Sequence, residues 1–158
     1  MKVHWTMKGF LSPVHFYTEE RDETHSQHED YRGRTCLLKE EQSKGNVSLK
    51  ISKIRVSDEA SCGCLVTSTL FCSEVSLGLK VMAVGRTPVI SLDEDTLYGF
   101  KVSCVSGGWY PKPDLQWTDG RGAVLTAESE TSEEQDGEGL YTVRSYLRTP
   151  VPEGGQVS

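Results

Sequence analysis

No stretch of this 158-residue chain approaches the roughly 18 consecutive apolar residues that a membrane-crossing helix requires. Residues 1–14 lack the apolar core of a secretory leader, so the chain read literally would be made in the cytosol. Cationic side chains are in the minority: 17 Lys and Arg stand against 23 Asp and Glu, a net charge of −6, and no basic stripe exists, which argues against nucleic acid or membrane binding. There is no nucleophile elbow and no phosphate-cradling glycine loop, so neither an enzyme, a cofactor nor a small-molecule substrate is expected. The carboxylates between Glu128 and Glu138 form a charge run whose members repel one another rather than pair as acid and base. His15, His25 and His28 lack paired ligand spacing and fall in polar loop sequence, so together with Cys62, Cys64 and Cys72 they are not read as a metal site. Helical periodicity is missing throughout.

What the chain does contain is alternation with period two, the pattern of strands with one face buried. Val3, Trp5 and Met7 share one side of a first strand, and Val14-His15-Phe16-Tyr17 follows the Ser12-Pro13 turn as a second. Residues 18–30 are polar and read as a solvated hairpin and loop. Residues 31–38 return to β-like composition, Glu40 to Gly45 make a polar turn, and Val47, Leu49 and Ile51 give the clearest half-buried strand. Val75, Leu77, Leu79 and Val81 alternate again. Beyond a linker at 82–87, Phe100, Val102 and Cys104 point one way, and Leu115 and Trp117 are expected to continue a strand after a corner. Asp119-Gly120-Arg121-Gly122 is a turn, Thr126 to Gly139 is expected to be an acidic loop, and Tyr141, Val143, Ser145 and Leu147 form a last alternating face. The expected fold class is therefore all-β.

Cys104-Val-Ser-Gly-Gly-Trp109-Tyr110-Pro111-Lys112-Pro113-Asp114-Leu115-Gln116-Trp117 couples a cysteine at the end of one strand to a tryptophan on the next. That is the core signature of an immunoglobulin sandwich, in which the indole packs against an inter-sheet disulfide. Two complete sandwiches of about 100 residues each would not fit in this length, whereas two incomplete ones would. Five cysteines (Cys36, Cys62, Cys64, Cys72, Cys104) at uneven positions do not form a compact disulfide framework.

Tyr31-Arg32-Gly33-Arg34-Thr35, Gly45-Asn46-Val47-Ser48-Leu49, Val56-Ser57-Asp58-Glu59 and Gly107-Gly108-Trp109-Tyr110-Pro111-Lys112-Pro113, in this order after Trp5 and residues 14–17, closely resemble the butyrophilin and butyrophilin-like family. The resemblance covers nearly the whole chain. It implies a partial variable-type domain at 1–81, starting from the third strand, a linker at 82–87, and a partial constant-like domain at 88–158 that ends before the strand carrying its second cysteine. By family position Cys64 and Cys104 are half-cystines of two different domains whose partners are not in this chain, and Trp5 and Trp117 are the core tryptophans. Arg34 and Asp58 are expected to form the salt bridge at the base of the first domain. Cys62 stands where the family places its corner tyrosine and Ala60 where glycine is usual, so this corner is expected to be looser than in relatives.

The function implied by the resemblance is that of an ectodomain on the external side of the plasma membrane, related to the B7 co-signalling ligands. It would bind a protein receptor on immune cells, T cells first among them, through the sheet around Trp5, Phe16 and residues 65–68, modulating T-cell activation and cytokine production. Membrane attachment would come only from segments outside this chain. The alternative is a partial product without a closed core. Separately, Asn46-Val47-Ser48 is an N-glycosylation acceptor triplet at a turn entering a strand.

Overall fold

The computed structural model describes residues 1–38, 40, 44–95, 99–125 and 129–149. All regular structure among them is strand or single-turn 3-10 helix, with the strands paired antiparallel. The chain divides into two compact units, Met1–Val81 and Met82–Ser158.

The first unit holds a five-stranded and a two-stranded sheet. β1 (Lys2–Met7), β2 (His15–Thr18), β3 (Arg21–Glu23), β6 (Ala60–Thr67) and β7 (Cys72–Leu79) assemble in the order β3-β2-β1-β6-β7, while β4 (Thr35–Leu37) pairs with β5 (Leu49–Ile51). The central strand β1 is flanked on both sides, as its alternation requires: Val3 lies opposite Tyr17 and Val66, and Trp5 opposite His15 and Cys64. Two clusters form the core. Val3, Tyr17, Leu37 and Cys64 make one, Met7, Val14, Tyr31 and Cys62 the other, and Trp5 and Leu49 pack against both. The indole Nε1 of Trp5 donates to the carbonyl of Val47 at 3.1 Å, fastening β1 to the approach of β5 with its one polar atom satisfied.

His15 lies in the second strand expected over residues 14–17 and not in polar loop sequence with His25 and His28, and it is buried there: its Nδ1 lies 3.0 Å from Thr35 Oγ1 and its Nε2 lies 3.1 Å from Asp22 Oδ1, while Gln27 Nε2 donates to Thr35 Oγ1 at 2.7 Å. Polar sequence concealed this network because its buried members, His15 and Gln27, find their partners across strands and not at neighbouring positions. The alternating face of Val75 and Leu77 also forms as a strand, yet those side chains are 59% and 44% exposed.

In the second unit β8 (Val89–Asp95), β9 (Gly99–Trp109), β10 (Ser129–Gln135) and β11 (Tyr141–Thr149) form one sheet in the order β10-β11-β9-β8. β10 corrects the expectation of an acidic loop over residues 126–139, of which 126–128 lie outside the described residues. Its seven residues have poor strand propensity, but the full ladder with β11 satisfies their backbone, and ion pairs Lys112–Glu133 and Arg144–Glu134 offset the carboxylates. Leu115 and Trp117 belong to no strand among the described residues; the segment instead closes with an isolated bridge between Thr118 and Val124. Ahead of β8, the chain hydrogen-bonds to the end of β9: Ala83 exchanges backbone bonds with Tyr110 at 2.8 and 3.0 Å. Gly85 lies so close to Trp109 that a Cβ there would come within 2.3 Å of the indole nitrogen.

Candidate protein-docking face

Because β1, β2, β3, β6 and β7 pair in register, residues opposite one another share a face of the sheet. On the side away from the core, one line crosses all five strands: Glu23, Phe16, His4, Leu65 and Glu74. The rings of His4 and Phe16 stand 5.2 Å apart and tilted, so the middle of the line is an aromatic and aliphatic strip. Carboxylates close it at both edges. Glu23 accepts at 2.9 Å from both the backbone amide and the Nδ1 of His25, and these hydrogen bonds, the backbone one foremost, hold its pKa below the ordinary value of 4.5.

Beside this strip Thr6, Gly63 and Ser76 form the next line, and a Cβ on Gly63 would come within 2.9 Å of Thr6 Oγ1, so a larger residue there would make the threonine side chain shift. A half-apolar sheet face with charged edges has the composition of a surface that meets another protein. Phe16 and Leu65 lie on this face. Trp5 does not: its side chain points into the core, so of the residues expected around the docking surface it acts from behind. Sequence reasoning missed His4, Glu23 and Glu74; alternation from the buried Val3 placed His4 outward, but its partners across the sheet depend on register.

The base of the unit is pinned by Arg34 and Asp58. Arg34 Nη2 and Nη1 donate to Asp58 Oδ2 and Oδ1 at 2.5 and 3.3 Å, and the side chains are 7% and 2% exposed. The remaining guanidinium capacity goes to the carbonyls of Ser52, Asp30 and Lys53. Burial works to raise the Asp58 pKa, but bonds from Arg34, the Arg55 amide and Tyr31 outweigh it and hold the carboxyl below its ordinary 3.8. Burial first, and then Asp58, push the Tyr31 hydroxyl upward. Next to this pair, Cys62 occupies the corner, buried with its thiol 3.8 Å from the Ala60 carbonyl.

All five cysteines are free thiols, with Cys62, Cys64 and Cys104 buried and Cys36 and Cys72 exposed. Burial raises the pKa of Cys62 and Cys64 above the ordinary 9.0. In the second unit Cys104 and Trp117 line one open cavity of about 470 Å³ together with Ile90, Trp109, Pro113 and Val143. Trp117 Nε1 donates to Ser145 Oγ at 2.9 Å, which anchors its segment to the sheet. Asn46 sits in the turn before β5, its Oδ1 accepting from the Ser48 amide and hydroxyl at 2.9 and 2.6 Å.

The chain has counterparts among known proteins. Residues 84–151 match the family model described as butyrophilin subfamily 3 member A2-like, Ig-C domain. Mouse butyrophilin-like protein 1 is 32% identical over 147 residues, covering 93% of this chain and 29% of the relative. The chain also superposes on the crystal structure of bovine butyrophilin with a TM-score of 0.82 and 29% identity, covering 96% of this chain and 72% of that one. The chain belongs to the butyrophilin and butyrophilin-like family. A further mouse relative, selection and upkeep of intraepithelial T-cells protein 7, is 29% identical over 154 residues, covering 98% of this chain and 39% of the relative. This butyrophilin-like chain thus spans about a third of the length of such curated relatives. It is an immunoglobulin-like member of an immune-related, cell-surface family. No helix among the described residues is long and apolar enough to cross a membrane.

Proposed function

We propose that this chain is part of a cell-surface ectodomain that binds a protein receptor on T cells and modulates their activation and cytokine production, acting as a binding module and not as an enzyme. The observation that carries the reading is the line Glu23-Phe16-His4-Leu65-Glu74, an aromatic and aliphatic strip with acidic ends on a sheet backed by the core packing of Trp5. Its acidic ends favour a receptor with an apolar centre and a basic rim, since complementary charge steers encounter and excludes wrong partners. The name of the mouse relative that concerns intraepithelial T-cells supports T cells as the population to test. In the same reading, Cys64 and Cys104 are half-cystines of separate domains, with Trp5 and Trp117 as their core tryptophans.

The test immobilises the chain beside an antibody that cross-links the T-cell receptor and measures proliferation and cytokine release. A dose-dependent change that Phe16→Asp abolishes supports the reading, and an unchanged response at every dose counts against it.

The exposed inner-facing side chains favour a second reading, in which the chain associates through uncovered sheet faces. Val75 and Leu77 in the first unit and Ile90 and Leu92, 66% and 63% exposed, in the second are an association hazard. Light scattering decides between the two: a monodisperse monomer at micromolar concentration refutes association.

A further inference from the structure

Asn46 is the chain's sole asparagine, and it stands in an Asn-Val-Ser triplet. We propose that Asn46 carries an N-linked glycan, mounted on the two-stranded β4–β5 side of the first unit so that the opposite face of the five-stranded sheet stays open. This placement rests on the cell-surface reading above, since the modifying enzyme works in the secretory route.

The local geometry fits the chemistry. Ser48 donates through its hydroxyl to Asn46 Oδ1 at 2.6 Å and through its amide at 2.9 Å, which turns the side-chain amide and leaves Nδ2 without a partner among the described residues. Nδ2 is the atom that reacts. It forms a bond to the anomeric carbon of a lipid-diphosphate-linked oligosaccharide; the bond from that carbon to the diphosphate breaks, the diphosphate leaves with the electron pair, and the amide proton passes to base. Asn46 is half-buried, and Lys44, Gly45 and Ser48 beside it are exposed, which leaves the described residues on that side open to solvent.

The direction of the glycan follows from Val47. Its carbonyl accepts from Trp5 Nε1 and its side chain packs on the core cluster of Val3, Tyr17, Leu37 and Cys64. That cluster lies behind β1, whereas His4, Phe16 and Leu65 lie in front of it. The glycan therefore covers the neighbourhood of β4, where Cys36 is exposed, and not that of Cys72, whose strand partner Thr67 lies on the front face.

The test expresses the chain behind a secretory leader in mammalian cells and treats it with peptide N-glycosidase. A single-glycan mass loss is expected in the wild type and in Ser48→Thr, and none in Asn46→Gln or Ser48→Ala. An unmodified Asn46 in both wild type and Ser48→Thr, with the leader removed, overturns the site. After mild reduction, alkylation of Cys36 is expected to be slower with the glycan than without it, and alkylation of Cys72 unchanged; slowing at Cys72 instead overturns the placement. Neither readout uses a receptor, so failure here is separate from failure of the receptor-binding reading.

Discussion

Arg34 grips Asp58 with both terminal nitrogens, at 2.5 and 3.3 Å, while its other donors reach three backbone carbonyls. The pair joins the end of the 3-10 turn Glu29–Tyr31 to the 3-10 turn Val56–Asp58 that leads into β6. Removing one partner strands the other charge in the interior, so Asp58→Ala is expected to destabilise the first unit by about 3–5 kcal/mol. Hydrogen exchange at the amides of β1 and β6 measures it. Protection equal to wild type would show that the pair is dispensable.

The same pair makes the first unit acid-sensitive. The Asp58 pKa is lower folded than the ordinary 3.8 it approaches unfolded, so the stability it contributes is fully present above that value and is lost as pH falls through the lowered one. The stability gap between wild type and Asp58→Asn is expected to narrow as pH is taken down below 3.8. A gap independent of pH would mean that Asp58 is not held ionised by Arg34.

Thiol reactivity should divide the cysteines by burial. Cys36 and Cys72 are exposed, whereas Cys62, Cys64 and Cys104 are buried, and burial further disfavours the thiolates of Cys62 and Cys64. Iodoacetamide with peptide mass spectrometry is expected to modify Cys36 and Cys72 first and the other three only on unfolding. A Cys64–Cys104 disulfide in the native protein would contradict the assignment of the two cysteines to separate domains.

Ser145 Oγ takes the Trp117 Nε1 hydrogen bond at 2.9 Å and donates to the Glu130 carbonyl at 3.0 Å while being 2% exposed. Ser145→Ala leaves the indole N–H unpaired at the edge of the cavity and is expected to cost the second unit about 1–3 kcal/mol. Urea denaturation with hydrogen exchange at β9 and β11 reads the loss. Unchanged stability would show that Trp117 is held by its apolar contacts alone.

Strands with strong alternation were legible in the sequence, and elements stabilised from outside themselves were not. Val3 and Met7 on β1, and Val143 and Ser145 on β11, lie on the expected buried faces. β10 was hidden because Ser129–Gln135 is acidic and gains its strand form from β11 and from cations elsewhere in the chain. The network of His15, Asp22, Gln27 and Thr35 was hidden for a related reason: burial of polar groups depends on partners that spacing does not announce. The docking face was half visible. Phe16 and Leu65 came from the resemblance, whereas His4, Glu23 and Glu74 join them only through register.

Receptor engagement through that face is read most plainly from binding of the fluorescent, multimerised chain to T cells, comparing wild type with Phe16→Ala/Leu65→Ala and with Arg144→Ala in the second unit. Saturable staining is expected of the wild type and of Arg144→Ala, and loss of staining of the double variant while its β1 and β6 amides stay protected. Undiminished staining by a folded Phe16→Ala/Leu65→Ala protein would contradict engagement through that face.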